Sequence, residues 1–198
     1  MSSPAGPGER VGAERFERLF AASPDPWGYR SSAYEREKYA ATLGALDGRH
    51  FARALEVGPA NGIFTAQLAE RCEELVAIDY SPRALALAAR QLHGHDNVEL
   101  VRASFPEEVP EGAWDLVVCS EILYYLDRST FTLALSWLRE ALLSGASVLA
   151  VSWRGPGTTE PLRGDWVHDR LASELARWHV LDGRKAGYRL DRFDPDGL

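Results

Sequence analysis

The chain has 198 residues, 45% hydrophobic and 26% charged, which suits one water-exposed globular domain with a sizeable core. Its formal net charge of −7 argues against a nucleic-acid backbone as the main partner, which a basic surface would hold, and fits a neutral or cationic small molecule. The two cysteines, Cys72 at the end of an apparent helix and Cys119 inside an apparent strand, support neither a disulfide framework nor a zinc site. No apolar run reaches the ~18 residues of a membrane span, and the first ten residues lack the apolar centre of an export signal, so a reducing cytoplasm is the expected compartment.

Residues 1–12 are small and rich in proline and glycine, and a disordered tail is expected there. Phe16, Leu19 and Phe20 follow at helical spacing, until S-P-D-P-W-G-Y at 23–29 breaks the pattern and leaves a loop carrying aromatic side chains. A second amphipathic helix presents Tyr39, Leu43 and Leu46 and stops near Asp47-Gly48. Strands are expected at 54–57, 75–79, 98–103, 116–120 and 148–152, with helical patterns between most of them. Ser81 before Pro82 starts a helix with Leu85, Ala88 and Leu92 on one face; Phe131, Leu135, Leu138 and Leu142 mark another, ended by Ser144-Gly145. Asp165 is expected to cap a helix carrying Val167, Leu171, Leu175 and Trp178. Strands at 179–181 and 188–193, joined by Asp182-Gly183-Arg184, read as a closing hairpin. Strands alternating with helices make a parallel sheet covered on both faces, an α/β fold.

The stretch L-E-V-G-P-A-N-G at 55–62 carries the chemistry. A strand ending at Val57, a turn at Gly58, and Gly62 ahead of a helix point backbone N–H groups and a helix N-terminus at a ligand. The G-x-x-x-G spacing differs from the dinucleotide fingerprint G-x-G-x-x-G. About 20 residues further on, the run 75–78 ends in Asp79, where an acid accepts both ribose hydroxyls. His93 and His95, in H-G-H-D, have metal-like spacing, but no third or fourth ligand is spaced to join them, and a solvated turn is the simpler reading. No metal is expected.

Glu56, Gly58, Ala60 and Gly62 resemble the acid-x-G-x-G-x-G motif of class I S-adenosylmethionine-dependent methyltransferases, with Ala60 where the middle glycine is usual. D-P-W-G-Y-R at 25–30, C-S-E-I-L-Y-Y-L at 119–126 and W-R-G-P at 153–156 sharpen the resemblance to the nodulation protein S (NodS) family, from about Phe16 to the end of the chain. The resemblance implies a Rossmann-like, doubly wound, mostly parallel seven-stranded sheet with an antiparallel edge strand. It implies N-terminal helices over 13–48 acting as a lid on a core at 49–198. The implied cofactor is S-adenosyl-L-methionine, leaving as S-adenosyl-L-homocysteine, and the family's namesake methylates an amino group on a chitooligosaccharide precursor. Carried over residue by residue, Glu56, Gly58, Ala60 and Gly62 surround the cofactor's methionine portion, Asp79 holds the ribose, and Tyr80 stacks on adenine. Ser104 and Phe105 stand where most class I enzymes have an acid near the adenine amino group, a hydroxyl and a ring in its place. Trp27 and Arg30 belong to the cofactor side, and Glu121 lines both the methionine and the substrate side.

Methyl transfer from a sulfonium is an in-line displacement, so such an enzyme mainly positions and desolvates, worth roughly 7–11 kcal/mol of barrier in favourable cases. Trp27, Tyr29, Tyr124 and Tyr125 offer cation–π contacts of about 0.5–2 kcal/mol. An amine must first lose a proton; His168, Glu121, Asp165 and Tyr124 are candidates, and the sequence does not choose among them. His168 also reads as a structural histidine, Tyr124-Tyr125 as packing residues, and Arg154 as a rim charge or an anion contact. A nucleic-acid methyltransferase is disfavoured by charge and by S-E-I-L standing where an N/D-P-P-Y/W motif would be. An NAD-dependent oxidoreductase, or a methyltransferase-like protein without transfer activity, shares the loop and Asp79. The sequence points to an amine or hydroxyl of a small molecule, with N-methylation on a sugar or secondary metabolite favoured.

Overall fold

A computed structural model describes residues 13–155 and 160–196. The expected tail at 1–12 and the last residue of the W-R-G-P motif, Pro156, lie outside them. In chain order the elements are α1 (Ala13–Ala22), α2 (Ala33–Gly44), β1 (Phe51–Val57), α3 (Ile63–Ala69), β2 (Cys72–Asp79), α4 (Pro82–Gln91), β3 (Val98–Arg102), β4 (Leu116–Ser120), α5 (Arg128–Leu143), β5 (Ser147–Trp153), α6 (Gly164–Glu174), β6 (His179–Arg184) and β7 (Tyr188–Phe193).

The strands form one seven-stranded sheet in the order β3-β2-β1-β4-β5-β7-β6, parallel except for β7. Period-2 alternation sorts the strand side chains between two faces. Leu55, Val57, Val117, Cys119, Val148 and Ala150 pack with Phe131 and Leu138 of α5 and Val167 and Leu171 of α6. Ala54, Leu75, Leu116, Val118, Leu149 and Val151 pack on the opposite side with Tyr39 of α2 and Phe64 and Leu68 of α3. Both faces are dry, which is why the strands read as continuous apolar runs.

Strand order reverses between β1 and β4, because the chain runs outward through β2 and β3 before returning to the other side of β1. The carboxyl ends of β1 and β4 therefore diverge into opposite-running connections and leave a crevice, the usual ligand position in open α/β sheets.

Five local expectations shift. Cys72 opens β2 instead of ending a helix: α3 stops at Ala69, and the Cys72 thiol donates to the Leu68 carbonyl at 3.3 Å. Asp182-Gly183-Arg184 continues β6 in register with β7, so the hairpin turns over 185–187. The antiparallel final strand is β7, one place in from the edge that β6 forms. Arg163, not Asp165, occupies the N-cap of α6. Gly164 passes so close to β5 that a Cβ there would lie 2.1 Å from the Trp153 carbonyl oxygen, and this contact fixes the start of α6 one residue before Asp165. That helix ends at Glu174, so Leu175 and Trp178 fall in the cap and the turn after it.

Candidate active site

The loop after β1 owes its path to backbone signs that few residues adopt. Gly58, Ala60 and Gly62 have φ of 78°, 50° and 79°. A Cβ on Gly58 would lie 2.6 Å from Ile122 Cδ1, and one on Gly62 would lie 2.9 Å from the Ala88 Cα of α4. The loop thus threads between Ile122 and α4, where only glycine fits. Ala60 holds a left-handed conformation that costs a Cβ-bearing residue about 1–2 kcal/mol, which explains why a middle glycine is usual at this position.

Asp79 ends β2 facing this loop. Its carboxylate accepts the Ser81 N–H at 2.8 Å and the backbone N–H groups of Ala60 and Tyr80, so it ties loop and strand together. Burial pushes its carboxyl up to about 7, with Glu17 adding in the same direction. Glu56, 2% exposed, is likewise pushed by burial to about 7 and lines a small recess with Ala60, Asn61 and Tyr39.

Above the crevice lies a cavity of about 790 Å³. Gly58, Ala60, Asp79 and Glu121 form its polar side; Phe105, Ile122 and Tyr125 form a wall, and Phe16, Phe20 and Trp27 cover it. The Phe16 ring sits edge-on to Tyr125 at 4.9 Å and to Tyr80 at 6.0 Å, and Phe20 meets Trp27 at 5.6 Å. Glu17 holds α1 down by accepting from the Ser81 hydroxyl at 2.5 Å and pairing with Arg83 at 3.1 Å. The D-P-W-G-Y-R segment is a turn closed by Asp25, whose carboxylate accepts the N–H groups of Tyr29 and Arg30 at 2.8 and 3.0 Å and the Asn61 side-chain amide at 3.2 Å. The motif therefore hooks Trp27 onto the glycine loop.

Glu121 follows β4 with φ of 59°. Its Oε1 accepts from Lys38 Nζ at 2.7 Å; its Oε2 accepts from the Tyr124 hydroxyl at 2.6 Å and the Trp153 N–H at 3.0 Å. Lys38, 2% exposed, also pairs with Glu35 at 2.8 Å. Burial opposes its charge, but Glu121 and Glu35 outweigh that and hold the ammonium above its ordinary range. Burial and the adjacent Glu121 raise the Tyr124 phenol far above its usual value, so Tyr124 stays protonated and donates. These groups border a second cavity of about 730 Å³ that shares Trp27, Tyr29, Glu121 and Tyr125 with the first. Lys38 and Glu35 are absent from the sequence-based candidates. Their spacing marks an i,i+3 pair on α2, a pattern that ordinarily means a solvated face.

Trp27, Gly58, Ala60, Asp79, Tyr80, Phe105 and Glu121 line the first cavity, and Tyr124 the second. Other expected site residues lie elsewhere. Gly62 is structural, under α4. Arg30 is exposed and donates to the Gln91 side chain at 2.8 Å, and the Ser104 N–H caps onto Glu108 at 2.9 Å while its neighbours Ala103 and Phe105 reach the cavity. His168 is the main correction: it is 0% exposed, and its Nδ1 lies 2.6 Å from Asp191 of β7, which also pairs with His179 and Arg189. Packing of α6 onto β7 turns the imidazole into the core, out of reach of either cavity. Asp165 accepts from Arg154 at 2.7 Å at the rim, which also accounts for Arg154.

Sheet order, crevice and glycine loop define the α/β methyltransferase fold, and the overlay on solved structures agrees. NodS from Bradyrhizobium japonicum WM9, an N-methyltransferase in complex with S-adenosyl-L-homocysteine, matches with a TM-score of 0.77 and 24% identity over 93% of this chain and 98% of that one. A putative methyltransferase from Pseudomonas syringae matches with a TM-score of 0.69 and 34% identity over 82% of this chain and 99% of that one. Residues 13–154 match the nodulation protein S (NodS) family, and the chain belongs to it. Nodulation protein S of Rhizobium tropici is 33% identical over 135 residues, 67% of this chain and 57% of that protein. The chain spans 50–57% of the length of the curated nodulation proteins it matches.

Proposed function

We propose that this chain is an S-adenosylmethionine-dependent methyltransferase that transfers a methyl group to an amine of a small molecule, a sugar or secondary metabolite. The observation that carries the reading is the pairing of two cavities: one bordered by the glycine loop and Asp79, and an aromatic, carboxylate-bearing one joined to it through Trp27, Tyr29, Glu121 and Tyr125. A largely apolar wall with few convergent polar groups suits a nucleoside-type ligand.

The Asp79 carboxylate faces the cavity, accepts from the backbone of Ala60, Tyr80 and Ser81, and keeps acceptor capacity for ribose hydroxyls. Tyr80 and Phe105 flank the space as flat, apolar partners for a purine. When bound, the cofactor supplies a methyl group activated on a sulfonium. The chain's own part is to hold, orient and dry the reacting groups: Phe16, Phe20 and Trp27 act as a lid that excludes water, and Glu121 is a positioning residue that fixes Tyr124 and Lys38. Tyr124 donates its hydroxyl hydrogen bond to Glu121 and keeps oxygen lone pairs for a substrate N–H. Glu121 already accepts three hydrogen bonds and Tyr124 stays protonated, so neither is a ready proton acceptor in this arrangement.

The test is to incubate the protein with S-adenosylmethionine and a panel of amino sugars and amine metabolites, reading S-adenosylhomocysteine and methylated product by mass. Product on amines supports the reading; tight cofactor binding with no product on amine or hydroxyl panels identifies a binding protein instead.

A further inference from the structure

The second cavity is built for a cation. Its walls carry Trp27, Tyr29, Tyr34, Tyr124, Tyr125 and Trp153, an unusual density of π faces for one recess. Three carboxylates border it, from Glu35, Glu121 and Glu160, against the single ammonium of Lys38. Arg15 approaches Glu160 at 3.7 Å, so the group of Glu35, Glu121 and Lys38 leaves one negative charge for two carboxylates and one ammonium.

Lys38 itself shows what the recess accepts. Its Nζ lies between two carboxylates at 2.7 and 2.8 Å and 5.2 Å from the Tyr34 ring centroid, a buried ammonium held by paired acids and an aromatic face. Glu121 is spent on three donors, whereas Glu35 meets only Lys38 with its side chain among the contacts described. Glu35 is thus the less engaged of the two carboxylates, and it borders the same cavity as the rings of Tyr34 and Trp153.

Resting on the methyltransferase reading above, we propose that this cavity is the substrate subsite for an organic cation, with Glu35 and the Trp153 and Tyr34 rings as its specificity-determining groups. The substrate carries a permanently charged ammonium next to the amine that accepts the methyl group. Neutral hydroxyl compounds of equal size are discriminated against, because they displace water from the cavity without a second cation to offset its surplus negative charge.

The experiment uses the full chain with S-adenosylhomocysteine bound, confirmed first by calorimetry. Choline is then titrated against its uncharged isostere, in which a quaternary carbon replaces the nitrogen, with tryptophan fluorescence as the readout. The wild type is expected to bind choline about tenfold or more tightly than the isostere, as one desolvated cation–π and charge contact predicts. Glu35→Gln should erase that preference with affinity for S-adenosylhomocysteine kept. Trp153→Leu, which leaves the backbone N–H to Glu121 in place, should reduce it several-fold, about half the effect or less. Equal binding of the two probes, or none, to protein holding S-adenosylhomocysteine overturns the cation subsite and leaves the methyltransferase reading standing. No calorimetric binding of S-adenosylhomocysteine overturns that reading, and the substrate subsite with it.

Discussion

Asp79 shows how one carboxyl links folding to ligand binding. Its carboxyl titrates near 7 in the folded chain, against about 4 in an unfolded one, because burial disfavours its charge. The folded state therefore holds the extra proton between those values, and stability is full below about pH 4 and falls as pH rises towards 7. Glu56 titrates in the same window. Asp79→Asn is expected to lose less melting temperature than the wild type between those two pH values, with part of the loss remaining through Glu56. Ribose hydroxyls need the ionised acceptor, so wild-type affinity for S-adenosylhomocysteine should rise as pH passes through about 7, while the asparagine variant binds more weakly with a flat profile. Calorimetry across that range checks both. His168 belongs to the opposite kind of residue: with Nδ1 on Asp191 in the core, His168→Asn should lower the melting temperature by breaking a buried network, with turnover per folded molecule unchanged. A drop in turnover at equal stability would return His168 to the chemistry.

At the scale of elements, α1 is held to the rest by Glu17 and by a few rings over the cavity, whereas the strands share a continuous ladder. Phe16→Ala with Phe20→Ala should weaken S-adenosylhomocysteine binding about tenfold, through lost ring contacts, and barely move the core's melting transition. Equal losses of both would make α1 part of the core instead of a cover. The β-strands and the glycine loop were readable because each depends on neighbours in sequence: apolar runs for buried strands, Gly58 for a turn, Ser81-Pro82 for a helix start. Lys38 was not, since its partner Glu121 lies 83 residues away and a lysine on α2 reads as solvated. The extent of β6 was missed for a similar reason. Asp182-Gly183-Arg184 has turn composition, yet pairing with β7 overrides it.

For the molecule as a whole, the candidate site sits where the sheet order reverses, and its groups come from many segments: the loop after β1, the end of β2, the turn after β4, the segment before α2, α2 itself, α1, the segment after β3 and the end of β5. Sequence motifs located the first three and Trp27, whereas the site's charge balance emerges only when α2 docks. Acidity of the whole chain is thereby concentrated usefully, with Glu35 and Glu121 brought to one cavity although their net effect is invisible in the overall charge of −7. The claim that this assembly holds an adenosyl sulfur cofactor is tested most directly by thermal melting of the full chain with S-adenosylhomocysteine, S-adenosylmethionine and NAD in separate samples. Ligand at about 100 times its dissociation constant adds about 2.7 kcal/mol, a rise of roughly 5–11 °C for a chain of this size. Such a rise with the two sulfur compounds and none with NAD is the predicted result; a rise with NAD alone, or with none of the three, contradicts the account.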